Sequence, residues 1–382
     1  MSENGGITRR AFVHAAAAMT VAPSLLQASS RPRTGPMLDE ARLWPRYDES
    51  IVIDFLASPG YFNYPSDPPL SDEMVRNATE SGITAVNLTV SRGDFEATAR
   101  RIAQWGANIE RHPEAFMQAR SVEQILEAKR TGRVGIVFGF QDTTPYGRDL
   151  DRVGVFHDFG VRVVQLTYNV RNLVGDGCLE PANSGLSPFG REVVERLNEL
   201  GSLVDLSHCG QQTTTDGIAA SSAPVSITHS GCAAVAPHPR SKRDEDLRAM
   251  ADGGGVIGIY LMPFLSPGRA ATADDVVAHI EHAVDVCGEE HVGIGSDLSI
   301  TPIDGSDEYW NAHRTFVARR IERGIAAPNE DPDILFTVGE LNSHRRLELL
   351  ADRLSVRGHS DDRIAKILGG NWLRLFQEVW GA

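Results

Sequence analysis

The chain has 382 residues, 41% of them hydrophobic and 23% charged, the balance of an ordinary globular protein with a sizeable core; no low-complexity tract or short repeat points to a solenoid. Its formal charge of −14 argues against a nucleic-acid partner, because a phosphate-binding face needs clustered Lys and Arg. An acidic protein handling a small substrate fits this balance better.

The first thirty residues differ from the rest. Arg9-Arg10 precede Ala11, Phe12 and a run of small and apolar residues reaching Leu26, then Gln27-Ala28-Ser29. A positive start, a modestly apolar run and small residues at a cleavage point read as a twin-arginine export signal over residues 1–30. No other stretch reaches the roughly 18 apolar residues of a spanning helix. The expectation is a periplasmic or secreted mature protein with no stable membrane span, a linker at 31–48, and one domain from 49 to 382.

From Ile51 onward, short apolar runs alternate with longer amphipathic stretches, the pattern of βα units and a parallel sheet. The runs read as strands are Ile51–Phe55, Ile83–Val90, Arg133–Phe140, Arg162–Thr167, Ser202–Ser207, Pro224–His229, Gly255–Leu261 and His291–Asp297. Helical patterns lie between them, among them Phe95–Ile109, Phe189–Leu200 and Ala273–Val286. Eight such units predict a (β/α)8 barrel of the α/β class. The segment Ser299–Thr337 is read as a partly helical insertion over the barrel mouth. Two helical stretches, Val338–Leu354 and Ser360–Trp380, should then pack against the barrel.

The four cysteines, Cys178, Cys209, Cys232 and Cys287, contain no Cys-x-x-Cys pair. Buried free thiols are the favoured reading, and a Cys209–Cys232 bridge is conceivable because both follow neighbouring strands. Length and composition leave a homodimer open.

In a barrel, polar residues at the C-terminal strand ends share one pocket. Strand five ends Asp205-Leu206-Ser207-His208, strand six Thr228-His229-Ser230, and strand eight Gly295-Ser296-Asp297. Two imidazoles and a carboxylate, His208, His229 and Asp297, are suitable ligands for a single zinc ion.

These strand ends, with Pro224-Val225-Ser226-Ile227-Thr228-His229-Ser230, resemble the paired histidine motifs of the membrane (renal) dipeptidase family. Further matches are Gly185-Leu186-Ser187-Pro188-Phe189-Gly190-Arg191-Glu192, His238-Pro239-Arg240, Gly253-Gly254-Gly255, His291-Val292-Gly293-Ile294-Gly295-Ser296-Asp297 and Gly369-Gly370-Asn371-Trp372. The resemblance runs from about Ile51 to the end of the chain. It implies a metal-dependent hydrolase fold whose relatives bind two zinc ions, with a water between them attacking a dipeptide's amide. On that pattern His208 and His229 hold one ion and Asp297 belongs to the other. Arg240 receives the dipeptide's terminal carboxylate, a task suited to a planar guanidinium; the competing expectation pairs it with Asp244 or Asp246.

This sequence departs from the family where metal chemistry is concentrated. Leu56 and Ser58 stand where a His-x-Asp pair belongs, Gln141 replaces the bridging Glu, and Tyr168 replaces a His. A neutral amide binds zinc far more weakly than a carboxylate, so at most one metal is expected. Asp54 and Asp142 lie one or two positions from the lost ligands, but a strand end alternates direction and does not slip freely.

Three functions stay open. One is a hydrolase of a dipeptide or small peptide-derived amide, using at most one zinc, with Asp297 as general base and Tyr168 donating to the oxyanion. Another is a metal-free enzyme that matures a peptide natural product by isomerisation or cyclisation. The last is a non-catalytic small-ligand binding protein.

Overall fold

The computed structural model describes residues 44–60 and 69–381. The export signal at 1–30 and the linker up to residue 43 lie outside the described residues. The end of that linker belongs to the packed domain: Trp44 and Tyr47 are buried, and the Tyr47 hydroxyl donates to the Ser81 carbonyl at 2.9 Å.

Eight parallel strands follow one another around the fold: β1 (Ile53–Asp54), β2 (Ala85–Thr89), β3 (Val134–Phe140), β4 (Val161–Gln165), β5 (Leu203–Asp205), β6 (Ser226–Ser230), β7 (Val256–Ile259) and β8 (Val292–Ile294). Each pairs with the next, and the Phe55 N–H donates to the Ile294 carbonyl at 3.0 Å, bringing the first and last strands together. The result is a nearly closed (β/α)8 barrel. All seven residues of β3, Val-Gly-Ile-Val-Phe-Gly-Phe, are buried, as expected of a strand covered by barrel interior on one side and helices on the other.

Each predicted strand is present and shorter than its run, though β4 begins one residue earlier, at Val161, and β6 runs one residue further, to Ser230. A further strand, Phe116–Gln118, pairs with the first half of β3, while β4 pairs with the second half. Two glycines set how closely the sixth to eighth strands approach: a Cβ at Gly258 or Gly295 would come within 2.1 and 2.0 Å of the Thr228 carbonyl oxygen. The backbone carrying Thr228-His229 can therefore sit between its neighbours.

Helices α1 (Asp72–Glu80), α2 (Phe95–Arg111), α3 (Val122–Thr131), α4 (Asp151–Asp158), α5 (Pro188–Glu199), α6 (Gln211–Ala220), α7 (Asp244–Asp252) and α8 (Ala273–Cys287) fill the connections. Their starts obey ordinary capping chemistry: Ser71, Asp94, Ser121 and Ser187 each accept from a backbone N–H of the first turn, and Thr272 forms a capping box with Asp275.

The expected insertion contains α9 (Asp307–Glu322), followed by irregular chain that returns to the loops after β4 and β6. Asn169 Nδ2 donates to the Ile325 carbonyl at 2.8 Å, and His238 Nε2 donates to that of Pro328 at 2.9 Å. The chain ends with α10 (Arg346–Val356), α11 (Asp361–Ala365), a π-helical turn at Lys366–Gly370 and α12 (Asn371–Trp380). Here α12 packs on the barrel: Trp372 Nε1 donates to the Ile294 carbonyl at 3.1 Å, and the Phe55 ring packs at a tilt against Trp372 and Phe376, 4.4 and 4.8 Å between ring centroids.

All four cysteines are free. The Cys209–Cys232 bridge is not formed because the two sulfurs face different neighbours. Cys209 Sγ accepts from Thr167 Oγ1 at 3.4 Å, and Cys232 Sγ lies 3.6 Å from the His279 carbonyl.

Candidate active site

His229 lies within β6 and His208 three residues past β5, and both imidazoles are buried. Their Nε2 atoms stand 2.9 Å apart. A hydrogen-bond network fixes which nitrogen carries each proton. Asn169 is oriented by its Nδ2 donation to Ile325, so its Oδ1 faces His208 Nδ1 at 2.6 Å and must accept from it. The buried Asp205 carboxylate accepts from the Thr228 hydroxyl at 2.8 Å and from the Ser207 hydroxyl at 2.6 Å. Thr228 Oγ1 is then left to accept from His229 Nδ1 at 2.7 Å. Both Nδ1 atoms act as donors, which leaves both Nε2 atoms unprotonated and converging, the arrangement that outer hydrogen bonds impose on metal-binding histidines.

The electrostatics favour neutral rings. Burial, then the Arg240 guanidinium, then His229, Arg320 and Lys242 hold His208 well below its ordinary 6.5; burial, Arg240 and Lys242 do the same to His229. Asp205 is pushed up by burial, against the pull of its Ser207 and Thr228 hydrogen bonds.

Asp297 adopts φ 61°, a left-handed conformation uncommon outside glycine, and its N–H donates to the Leu56 carbonyl at 2.8 Å. The side chain keeps a little exposure yet is surrounded by protein. Burial raises its pKa to about 7, opposed by Arg240 and Arg320 and reinforced by Asp54 and Glu330. It does not join the imidazole pair as a ligand set: among the described residues, no group of three or more His, Cys, Asp or Glu side chains could hold a metal ion.

Arg240 is 3% exposed rather than open to the mouth. Its Nη2 donates to the His229 carbonyl at 3.2 Å, its guanidinium lies 5.7 Å from the Tyr260 ring centre, and its buried Nε has no hydrogen-bond partner. Neither acid expected to compete for it does so. Asp244 binds His282 at 2.8 Å, and Asp246 binds Arg243 at 2.8 Å and Thr215 at 2.8 Å. Among the described residues Arg240 thus forms no ion pair, which for a buried cation leaves a strong demand for an anion.

Tyr168 stacks on His208, with ring centroids 4.2 Å apart and planes 23° from parallel. Its hydroxyl oxygen accepts from Arg320 Nη1 at 2.8 Å. Arg320 is in turn clamped by both carboxylate oxygens of Glu330, at 2.5 and 2.6 Å. Arg320 and Glu330 come from the insertion and belong to no motif. Like Asn169, they escape sequence reading because only the folded chain brings them to the site.

The residues standing in place of family ligands do not fit a two-ion centre. Leu56 is buried in the core, and Ser58 Oγ accepts from the Gly60 N–H at 3.1 Å. Their segment is further tied down by a parallel pairing of Ala57–Ser58 with Leu298–Ser299. Gln141 reaches the pair, with its side-chain nitrogen 3.4 Å from His229 Nε2, but brings a neutral amide. Asp54 Oδ1 accepts from the Ser296 N–H at 2.6 Å, while the Asp142 carboxylate is taken by Thr144 and Asn172. Neither substitutes for a lost ligand.

The profile of the membrane dipeptidase family, peptidase family M19, matches residues 70–326. The chain belongs to this family. Dipeptidase verJ of Clonostachys rogersoniana is 30% identical to this family member over 75% of the chain, and an uncharacterised dipeptidase of Schizosaccharomyces pombe is 31% identical over 61% of it. The matched stretches span 66% and 58% of those relatives' own lengths. Among solved structures, an amidohydrolase from Pseudomonas aeruginosa superposes with a TM-score of 0.78 at 33% identity, covering 88% of this chain and 98% of the other. A metallopeptidase from Rhodobacter sphaeroides, liganded with a phosphinate mimic of the dipeptide L-Ala-D-Ala, shares the dipeptidase fold with a TM-score of 0.69 at 18% identity, covering 87% of this chain and all of that one.

Proposed function

We propose that this protein is a periplasmic hydrolase of a dipeptide or small peptide-derived amide, working with at most one metal ion. The observation that carries the reading is Arg240: a buried guanidinium without an ion-pair partner among the described residues, bonded to the backbone of His229. A substrate carboxylate would satisfy it and place the adjoining amide beside the imidazole pair.

His208 and His229, with unprotonated Nε2 atoms, would hold the single zinc, which when bound supplies Lewis acidity and an acidified water. The chain's own groups do the rest. Asp297, with its pKa near 7, is suited to take a proton from the nucleophilic water and return it to the leaving amine. Tyr168, whose oxygen already accepts from Arg320, keeps its own O–H free to donate to the developing oxyanion.

The metal-free reading, isomerisation or cyclisation of a peptide-derived compound, draws on the same 2.9 Å imidazole contact, since a proton can also bridge two such nitrogens. A dipeptide panel with free and amidated C-termini tests the main reading, alongside elemental analysis after dialysis. Turnover of free but not amidated dipeptides, lost in Arg240→Ala and sensitive to a chelator, is the expected result. Equal handling of free and amidated forms would reject Arg240 as the carboxylate receptor, and chelator-indifferent turnover would favour the metal-free chemistry. A zinc content near two would reject the single-ion limit.

A further inference from the structure

His208 and His229 owe their proton placement to different parts of the chain. For His229 the controlling groups, Thr228 and Asp205, both belong to barrel strands. For His208 control passes to the insertion. Asn169 is fully buried at φ 55°, a left-handed conformation that asparagine tolerates better than most side chains. Its backbone is pinned there: the Asn169 carbonyl accepts from the Leu179 N–H at 2.7 Å, and a Cβ on Gly177 would meet the Asn169 carbonyl carbon at 2.2 Å.

A primary amide presents an acceptor on one side and a donor on the other. The Ile325 carbonyl can only accept, so it draws Nδ2 to itself at 2.8 Å and turns Oδ1 towards His208 Nδ1 and the Cys178 thiol, at 2.6 and 3.3 Å. Ile325 is in turn placed by Arg320, whose Nη2 donates to the same carbonyl at 3.2 Å and whose own carbonyl accepts from the Ile325 N–H at 3.0 Å. That guanidinium also bonds the Tyr168 hydroxyl, and the Tyr168 ring lies on His208. One arginine of the insertion therefore governs both neighbours of the His208 ring.

The alternative that Asn169 holds off is specific. Two unprotonated nitrogens facing each other at 2.9 Å share no hydrogen bond, whereas a His208 protonated on Nε2 would donate to His229 and close the pair on itself. A reversed Asn169 amide would permit that exchange, because Nδ2 would then donate to an unprotonated Nδ1.

We propose that Asn169 is a positioning residue through which the insertion selects the tautomer of His208. With the Ile325 carbonyl docked, His208 keeps its proton on Nδ1 and offers Nε2. With that carbonyl withdrawn, the amide turns over, the ring takes up a proton at Nε2 and releases the one at Nδ1, and the pair bonds to itself. The consequence for turnover rests on the reading of the imidazole pair as the reacting centre; the tautomer assignment does not.

The test is long-range proton–nitrogen correlation NMR of the mature protein with labelled histidine rings, after dialysis against a chelator and at about pH 8, where free imidazole is neutral. Loss of signals in His208→Gln and His229→Gln supplies the assignments. The unsubstituted protein should show Nδ1–H at both rings. Asn169→Gly keeps the left-handed backbone but removes both side-chain bonds, and should move His208 to Nε2–H; Asn169→Asp keeps the acceptor and should restore Nδ1–H. The double variant Arg320→Gln/Glu330→Gln, which strands no charge, should shift His208 as Asn169→Gly does and leave His229 unchanged. Turnover should fall about 10- to 100-fold in Asn169→Gly at constant KM and recover in Asn169→Asp.

Nδ1–H at His208 in both Asn169→Gly and the double variant overturns the proposal. A shift in Asn169→Gly alone overturns the part given to the insertion. A shifted tautomer with turnover intact supports the Asn169 assignment and rejects the imidazole pair as the reacting centre. If Asn169→Gly does not fold, the double variant decides, since Nδ1–H at His208 there overturns the coupling.

Discussion

His208 and His229 approach each other at 2.9 Å through nitrogens that carry no proton, while Asn169 and Thr228 hold the opposite nitrogens as donors. Two buried neutral rings with depressed pKa values link the site to stability. An unfolded histidine takes up a proton below about 6.5, whereas these rings resist it until well below that. Their contribution is therefore fully present above about 6.5 and is lost as pH falls towards the folded values, at about 1.4 kcal/mol per pH unit for each ring. Urea unfolding between about pH 5 and pH 7 checks this. His208→Gln should flatten the acid-side slope of stability by about one ring's share; an unchanged slope would mean that His208 titrates like a free imidazole.

Asp297 carries the opposite sign. With its folded pKa raised from 3.8 to about 7, the ionised form is the one the fold disfavours. That penalty is fully present above about pH 7 and is relieved as pH falls towards 3.8. Asp297→Asn should therefore stabilise the protein at pH 8 by roughly 2–4 kcal/mol, and the gain should shrink in acid. If Asp297 is the base, kcat/KM of the unsubstituted protein rises through about pH 7 and the Asn variant loses that limb. A thermal-melt series and a pH–rate profile test the two halves separately. Destabilisation by Asn at every pH would show that Asp297 is a structural residue.

The Glu330–Arg320–Tyr168 chain makes the insertion part of the site. Glu330→Ala strands a buried guanidinium and should cost about 3–5 kcal/mol. Tyr168→Phe removes only the hydroxyl, which accepts from Arg320 and stacks no differently without its oxygen. The Phe variant should keep its KM and lose kcat by about 10²-fold, the scale for one oxyanion donor. Steady-state kinetics separate the two parameters, and a change confined to KM would reject the oxyanion role.

The barrel is legible in the sequence because each strand is an apolar run bounded by polar strand-end residues. Some runs overshoot for the same reason: Leu206-Ser207 and Gly295-Ser296-Asp297 continue the pattern in letters but lie beyond the sheet, Asp297 with a positive φ. Phe116–Gln118 is too short to show alternation and is a strand only because the first half of β3 has an open edge. His208 and His229 could be paired from their shared offset at adjacent strand ends. Arg320 and Glu330 cannot be linked to Tyr168 from the sequence, because they lie ten positions apart across a helix end and loop and the contact to Tyr168 spans 152 positions. That Arg240 forms no ion pair among the described residues is equally hidden in the sequence. Asp244 and Asp246 lie near it in sequence but turn to His282 and Arg243.

The proposed export of the protein has its own test. Arg9-Arg10 stand before a run of small residues whose hydrophobicity is modest, which suits a route that carries folded proteins across the membrane. A barrel whose first and last strands meet, and whose C-terminal helix packs onto both, completes its closure only when the whole chain is present. Folding before transport fits that topology. Replacing both arginines by lysine keeps the charge but removes the paired guanidinium groups, so precursor should accumulate in the cytoplasm while the unsubstituted protein is recovered, shortened, from the periplasm. Fractionation followed by N-terminal sequencing of the mature protein reads both outcomes, and normal export of the Lys-Lys variant would sink the twin-arginine assignment.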